Sequence, residues 1–373
     1  MLIFALVAVA VSFIAWRRSD GGAGVARRPG LGDVIPRGAV LVAELDVAAV
    51  RAHPLTRGIW DGVRTLEGMG DVATICGRDP LDQVERLAVV VPSDSDAGFG
   101  VIALGPLDAR ALLDCASRVV EARGGSPLRE RRGAFEKLTD RSVQHAGAML
   151  LVKDGGPLVL AEPSYAEAVL AVARGAAPSL GSDALHREER AAVGEGDFVL
   201  TAVLTDEHRR IVRDELSRAA GSEALAHVLG GGVSLRLGAA LTAKAAFRCD
   251  DAGACQVLRG TLEQSLRAAR ESPAVLLLGL AGVLDRVRVE ARGQRVELSA
   301  VMPEDEAVAV VRRLIAFARV GDAATDEEGQ SPSGIPSEVH RAPPRLPSAE
   351  GQSPPGLPSA STHEPRHALP HPR

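Results

Sequence analysis

The sequence predicts an α+β fold: two tandem, similarly ordered β-α-ββ-α-ββ-α halves, with antiparallel or mixed sheets and helices layered on one face. Three observations lead there. Apolar and polar residues alternate in paired segments, as in Val233–Leu237 and Leu241–Cys249, the period-two mark of half-buried hairpins. Two eight-residue apolar runs, Ala39–Asp46 and Phe198–Thr205, stand near the starts of residues 34–180 and 195–320. Between strands, apolar residues recur at helical spacing, and an aspartate or serine suited to capping precedes several of these segments. The repeated order implies an ancient tandem duplication. One continuous sheet shared by both halves is the alternative arrangement.

Taken in order, residues 1–16 are apolar except Ser12 and predict an N-terminal membrane anchor or signal-like segment. As a helix they reach about 24 Å, against a hydrocarbon core of roughly 30 Å. Residues 17–33 form a linker rich in Gly and Arg. In the first half, residues 34–180, Asp46 is placed to cap a helix after the opening strand, and Asp108 to cap one bearing Leu112, Cys115 and Val119. Arg86–Val91, Phe99–Gly105 and Ala134–Thr139 read as strands, and Asp154–Gly155–Gly156 as a hairpin turn. Ser164 with Glu167 predicts a capping box. A helical connector follows over residues 181–194.

The second half, residues 195–320, repeats this order. The helix DEHRRIVRDEL follows its first strand, and Asp250 or Asp251 caps a helix after the Val233–Cys249 hairpin. An apolar helical stretch lies around Pro273–Leu284, and Arg286–Met302 is a second hairpin. Pro303, with Glu304–Glu306 behind it, predicts the first turn of a last helix. Residues 321–373 hold 11 of the 23 prolines and no aromatic residue, with EGQSPSGIPSE echoed as EGQSPPGLPSA, and so read as a disordered Pro/Ser-rich tail.

Composition narrows the function. Aromatic residues make up 3% of the chain, too few for the stacking surfaces that sugars and single-stranded nucleic acids demand. A net charge of −5 without a basic cluster in the folded part excludes nucleic acid as an expected partner. The phosphate-loop, nucleophile-elbow and zinc-protease motifs are absent. Gly98-Phe99-Gly100 sits at a strand start and is assigned to a turn, and Asp94-x-Asp96-x-Gly98 to a hairpin loop. His186 and His208 stand among charges and are assigned to solvated helix faces. No catalytic residue, cofactor site or metal site is expected.

Four cysteines are the remaining signal. Cys249 ends a strand and Cys255 starts the next helix, on facing inward sides of one corner, a geometry a disulfide accepts. Cys76 and Cys115 form the second candidate pair, one pair per half. An even, paired count suits an oxidising compartment. Against it, Arg17, Arg18, Arg27 and Arg28 beside the apolar run favour a cytoplasmic body by the positive-inside rule. The cysteines decide for an extracytoplasmic one.

The order anchor, then IPRGAVLVAELDVAAVRAHPL (35–55), then CGRDPLDQVERLAVVV (76–91), resembles uncharacterised membrane-anchored envelope proteins of GC-rich bacteria, grouped as a domain of unknown function. The resemblance spans roughly residues 35–320. It implies a membrane-tethered, extracytoplasmic, non-enzymatic protein and transfers no functional residue. The expected partners are the membrane, through residues 1–16, and an unidentified envelope component. Two alternatives stand beside this reading. One is a hydrolase with its site between the halves; the other is a carrier of apolar ligands such as lipid.

Overall fold

The computed structural model describes residues 30–56, 69–93, 98–142, 147–216 and 222–313. The expected anchor, most of the linker and the tail lie outside these residues. Among the described residues no helix is long and apolar enough to cross a membrane.

The first half runs α1 (Leu31–Val34), β1 (Ala39–Asp46), α2 (Val47–Ala52), α3 (Met69–Cys76), β2 (Arg86–Pro92), β3 (Gly100–Leu104) and α4 (Ala109–Ala122). It continues with β4 (Pro127–Arg132), β5 (Phe135–Asp140), β6 (Met149–Val152), β7 (Leu158–Ala161) and α5 (Pro163–Ala173). Helix α6 (Ala184–Val193) leads into β8 (Phe198–Val203), α7 (Asp206–Leu216), β9 (Val228–Arg236) and β10 (Ala240–Cys249). The chain then passes through α8 (Ala252–Arg270), α9 (Pro273–Leu277), α10 (Ala281–Leu284), β11 (Arg288–Arg292), β12 (Arg295–Pro303) and helical residues 304–313.

All these strands join one sheet in the order β11-β12-β10-β9-β8-β1-β2-β3-β7-β6-β5-β4, antiparallel throughout. The two opening strands pair in the middle, Leu41 opposite Ala202, Ala43 opposite Leu200 and Leu45 opposite Phe198. The shared-sheet arrangement is therefore the observed one. Pairing β1 with β8 removes two edges whose unpaired backbone groups would otherwise invite association.

Helices cover both faces, not one. On the first face α1 and α5 bury Val42, Val90, Ile102 and Val159. On the second, α2 and α4 bury Leu45, Ala103, Leu138 and Val152, and α8 buries Val296 and Cys249. The reason is visible in β1, where Val42 and Leu45 point to opposite sides and both need cover.

Several local signals act as the sequence predicts. Asp46, Asp108 and Asp251 each accept a hydrogen bond from the backbone N–H three residues on, at 2.8, 2.9 and 2.9 Å. Others do not. Helix α5 starts at Pro163 with Glu162 before it, so Ser164 and Glu167 form no capping box; proline at the first helical position sets the start instead. Pro303 ends β12 before residues 304–313 turn helical. The apolar stretch near 273–284 is two short helices broken at Gly279, whose φ of 66° favours glycine. Strand β4, PLRERR, was not anticipated, because its alternate residues are charged on both sides. It is held by Arg129, which reaches α4 at Ser117 (2.9 Å), Asp114 (2.7 Å) and the Leu113 carbonyl (3.0 Å).

Candidate functional site

Helix α6, expected to be a connector with solvated charges, instead lies on the middle of the sheet against β8, β9 and β10. The close approach depends on glycines in β9. A Cβ on Gly232 would lie 3.2 Å from Val193 Cγ1 and 3.3 Å from the Glu189 carbonyl, tighter than a helix-on-strand contact tolerates without displacement. Residues 186, 189 and 193 fall on one helical stripe, and all three are buried.

That stripe carries polar groups into the interior, and each finds a partner there. His186 Nε2 faces the Ala39 carbonyl at 2.8 Å, so this nitrogen carries the proton and donates; Nδ1 then accepts from the Thr201 hydroxyl at 2.9 Å. Glu189 has no exposed surface, and its two oxygens accept from Arg248 of β10 (2.7 Å) and Arg295 of β12 (2.8 Å). One helical position on, Arg190 donates to Glu44 of β1 at 2.5 Å, and Arg86 of β2 lies 3.4 Å from the same carboxylate. The helix thus bonds to both halves of the sheet.

Beside it is a recess of about 170 Å³ where the halves meet, lined by Glu44, Arg86, His186, Arg187, Arg190 and Thr201. A hydroxyl donating to an oriented imidazole is the arrangement that activates nucleophiles. Here both groups lie in the floor, His186 4% and Thr201 6% exposed, and the pair serves to fasten α6 to the sheet. The expectation that His186 is solvated is therefore overturned: sheet partners supply hydrogen bonds that a lone helix cannot. A histidine and a glutamate on one stripe with Val193, together with the Gly230–Gly232 run, were the available signal.

The opposite face of the first half carries a different feature, an open groove of about 380 Å³ between α4 and strands β5, β6 and β7. Leu112, Val119, Leu138, Leu150, Leu158 and Leu160 form its walls. Its size and apolar lining fall within the range of small-molecule pockets. Asp140 stands at the rim, where the Ser126 and Ser142 N–H groups and the Ser142 hydroxyl hold its carboxyl below the usual range.

Both expected cysteine pairs are disulfides. Cys76–Cys115 ties α3 to α4 across 4.9 Å between Cα atoms, and Cys249–Cys255 ties β10 to α8 across 5.6 Å. The glycines at 98 and 100 have separate roles. Gly98 takes a φ of 62°, and Gly100 leaves space for the Tyr165 ring, 2.2 Å from where a Cβ would stand. Asp94 and Asp96 lie outside the described residues. His53, His208 and His227 contact the Gly238 carbonyl, Thr205 and Asp250 respectively, each at a separate place. Among the described residues no three His, Cys, Asp or Glu side chains gather as a metal site.

No protein-family model matches the chain, and no curated protein matches it. The chain is similar to a solved structure titled "Structure of crystal form I of TP0453", at 11% identity and a TM-score of 0.42, over 79% of this chain and 99% of that one.

Proposed function

We propose that the chain is a non-catalytic, membrane-tethered extracytoplasmic protein of the bacterial cell envelope, with residues 1–16 as the tether and the sheet body in a binding or structural role. The observation that carries this is the state of the cysteines: all four are paired, one disulfide in each half. Disulfides persist in the periplasm and outside the cell and are rare where thiol reductants circulate. The resemblance to anchored envelope proteins of GC-rich bacteria points the same way. We take the halves to descend from a duplication. Outward from the central pair, β1-β2-β3-β7-β6 and β8-β9-β10-β12-β11 follow one plan, with β4 and β5 added to the first half.

A second reading, a carrier of apolar ligands, is favoured by the leucine-lined groove against α4. The hydrolase reading draws less support, since the imidazole at the junction of the halves has both nitrogens committed. Thiol labelling of native protein in fractionated cells tests the proposal. The expected result is protein in the membrane fraction, labelled only after reduction, with a body cleaved by external protease. Soluble protein with four reactive thiols overturns it.

A further inference from the structure

We propose that Lys244, Ser299 and Arg288 form a binding site for a doubly charged tetrahedral oxyanion of the phosphate class, in a polar recess on the α6 face of the outer strands. The strand register builds it. Lys244 of β10 stands opposite Ser299 of β12, and Ser299 stands opposite Arg288 of β11. Directly opposed residues of antiparallel strands point to one face, so an ammonium, a hydroxyl and a guanidinium form one row across three strands. Arg248 and Arg295 lie an even number of positions along β10 and β12, and both reach Glu189 of α6, which fixes the row on that same face. All three residues line the recess, about 230 Å³ in volume, together with Ala192 of α6.

The groups of this row are uncommitted. Among the described residues the Lys244, Ser299 and Arg288 side chains make no hydrogen bond or ion pair. The carboxylates of the face have other partners. Glu290 and Glu297, which share the recess, lie 2.5 and 3.8 Å from Arg292, and Glu189 is held by Arg248 and Arg295. Glu195 pairs with Arg190, and exposed Glu188 does not line the recess. The other charges that β10, β11 and β12 place on this face therefore cancel: Arg248, Arg292 and Arg295 against Glu189, Glu290 and Glu297. Lys244 and Arg288 are the surplus.

Two cations and a hydroxyl match a dianion with three terminal oxygens, one for each side chain. A carboxylate has two oxygens and one charge, which the forked donors of Arg288 satisfy alone. Strand spacing sets the Cα atoms of residues 244 and 288 roughly 10 Å apart, so both long side chains can converge above the short Ser299. A flat acidic protein surface would meet the exposed ends of Lys244 and Arg288 and leave half-buried Ser299 without a partner. The site goes beyond the tethered-envelope reading and does not depend on it.

Calorimetric titration of the full chain with inorganic phosphate, above neutral pH and at fixed ionic strength in chloride, tests the site. The expected result is saturable binding of one phosphate per chain, weakened about tenfold by Lys244→Gln or Arg288→Gln and about threefold by Ser299→Ala. Arg110→Gln, which removes an exposed cation from α4, is expected to leave binding unchanged. A variant that fails to fold binds nothing, so amide exchange in the unaltered chain is the second readout: phosphate is expected to slow β11 and β12 but not β4 or β5. Glycerol 3-phosphate is titrated alongside. Whichever of the two binds more tightly identifies free phosphate or a lipid-type headgroup as the source, and either keeps the site. The absence of saturable phosphate binding overturns it, as does an equal loss in Arg110→Gln or exchange slowed evenly across the sheet. Acetate that binds as tightly as phosphate overturns the dianion assignment. A hexaglutamate peptide that displaces phosphate at lower concentration than glycerol 3-phosphate assigns the row to an acidic protein face, and overturns the site too.

Discussion

The two sides of the sheet, outward from the β1–β8 pair, differ in how they are covered. In the first half, α1 and α5 close one face and α2 and α4 the other, so strands bury alternate residues on both sides. In the second, α8 and residues 304–313 lie on the same side, with Val308 and Val311 packed near Leu241 and Met302. The other face is covered by α6 only over the inner strands. Beyond it, β10, β12 and β11 line a polar recess of about 230 Å³ with Lys244, Glu290, Arg292, Glu297 and Ser299. The lesson concerns the last helix of each half. Whether it crosses to the α6 side or stays with the opposite layer decides if the outer strands are apolar twice over or once.

The difference makes Glu189 the joint that holds α6 to the thinly covered half. Glu189→Ala leaves Arg248 and Arg295, 20% and 24% exposed, facing a void where a carboxylate stood. Removing one partner of such a buried cluster costs about 3–5 kcal/mol. The expected outcome is a loss of that size in urea unfolding, with amide exchange rising in β9, β10 and β12 before β2, β3 and β7. Equal rises across the sheet would break the comparison, because they place the two halves in one cooperative unit.

The disulfides divide along the same line. Cys76–Cys115 closes a sequence separation of 39 residues and Cys249–Cys255 one of 6. In the chain-entropy account, removing the first by paired Cys→Ser changes lowers stability by about 4 kcal/mol and removing the second by about 2 kcal/mol. Thermal unfolding of the two double variants measures the ratio. A larger loss from Cys249 and Cys255 would mean the second half depends on its short clip more than loop closure explains.

Much of this organisation was legible in residues. The runs at Ala39–Asp46 and Phe198–Val203, the hairpins, three capping aspartates and the Cys249–Cys255 pair carry local physical signals that tertiary structure leaves in place, whereas Cys76–Cys115 follows only from the even count. What escaped depends on partners far along the chain. ALHREERAAV looks solvated, and its buried stripe makes sense only once Ala39, Thr201, Arg248 and Arg295 are brought beneath it. Strand β4 was hidden for the opposite reason. As an edge strand it keeps charges that resist further pairing, and its Glu130 stands opposite Lys137 of β5 at 3.1 Å. The apolar groove was legible as inward leucines, but not as a space, since volume depends on how far α4 stands from the sheet.

The doubly covered half contains one group that does not fit its apolar interior. Tyr165 on α5 is 3% exposed, and its hydroxyl has no hydrogen-bond partner among the described residues. Burial pushes the phenol well above its usual pKa, the direction expected when an anion would have to form away from water. The ring itself is well placed over Gly100. Tyr165→Phe keeps that packing and removes only the unpaired oxygen, so a gain of about 1 kcal/mol is expected, read as a rise in the urea midpoint at unchanged slope. Gly100→Ala is the converse: it leaves the hydroxyl and drives a methyl into the ring, with an expected loss of about 1–3 kcal/mol. A loss from Tyr165→Phe would mean that the oxygen is satisfied within the core, and the layer under α5 would then hold a buried polar contact as the layer under α6 does.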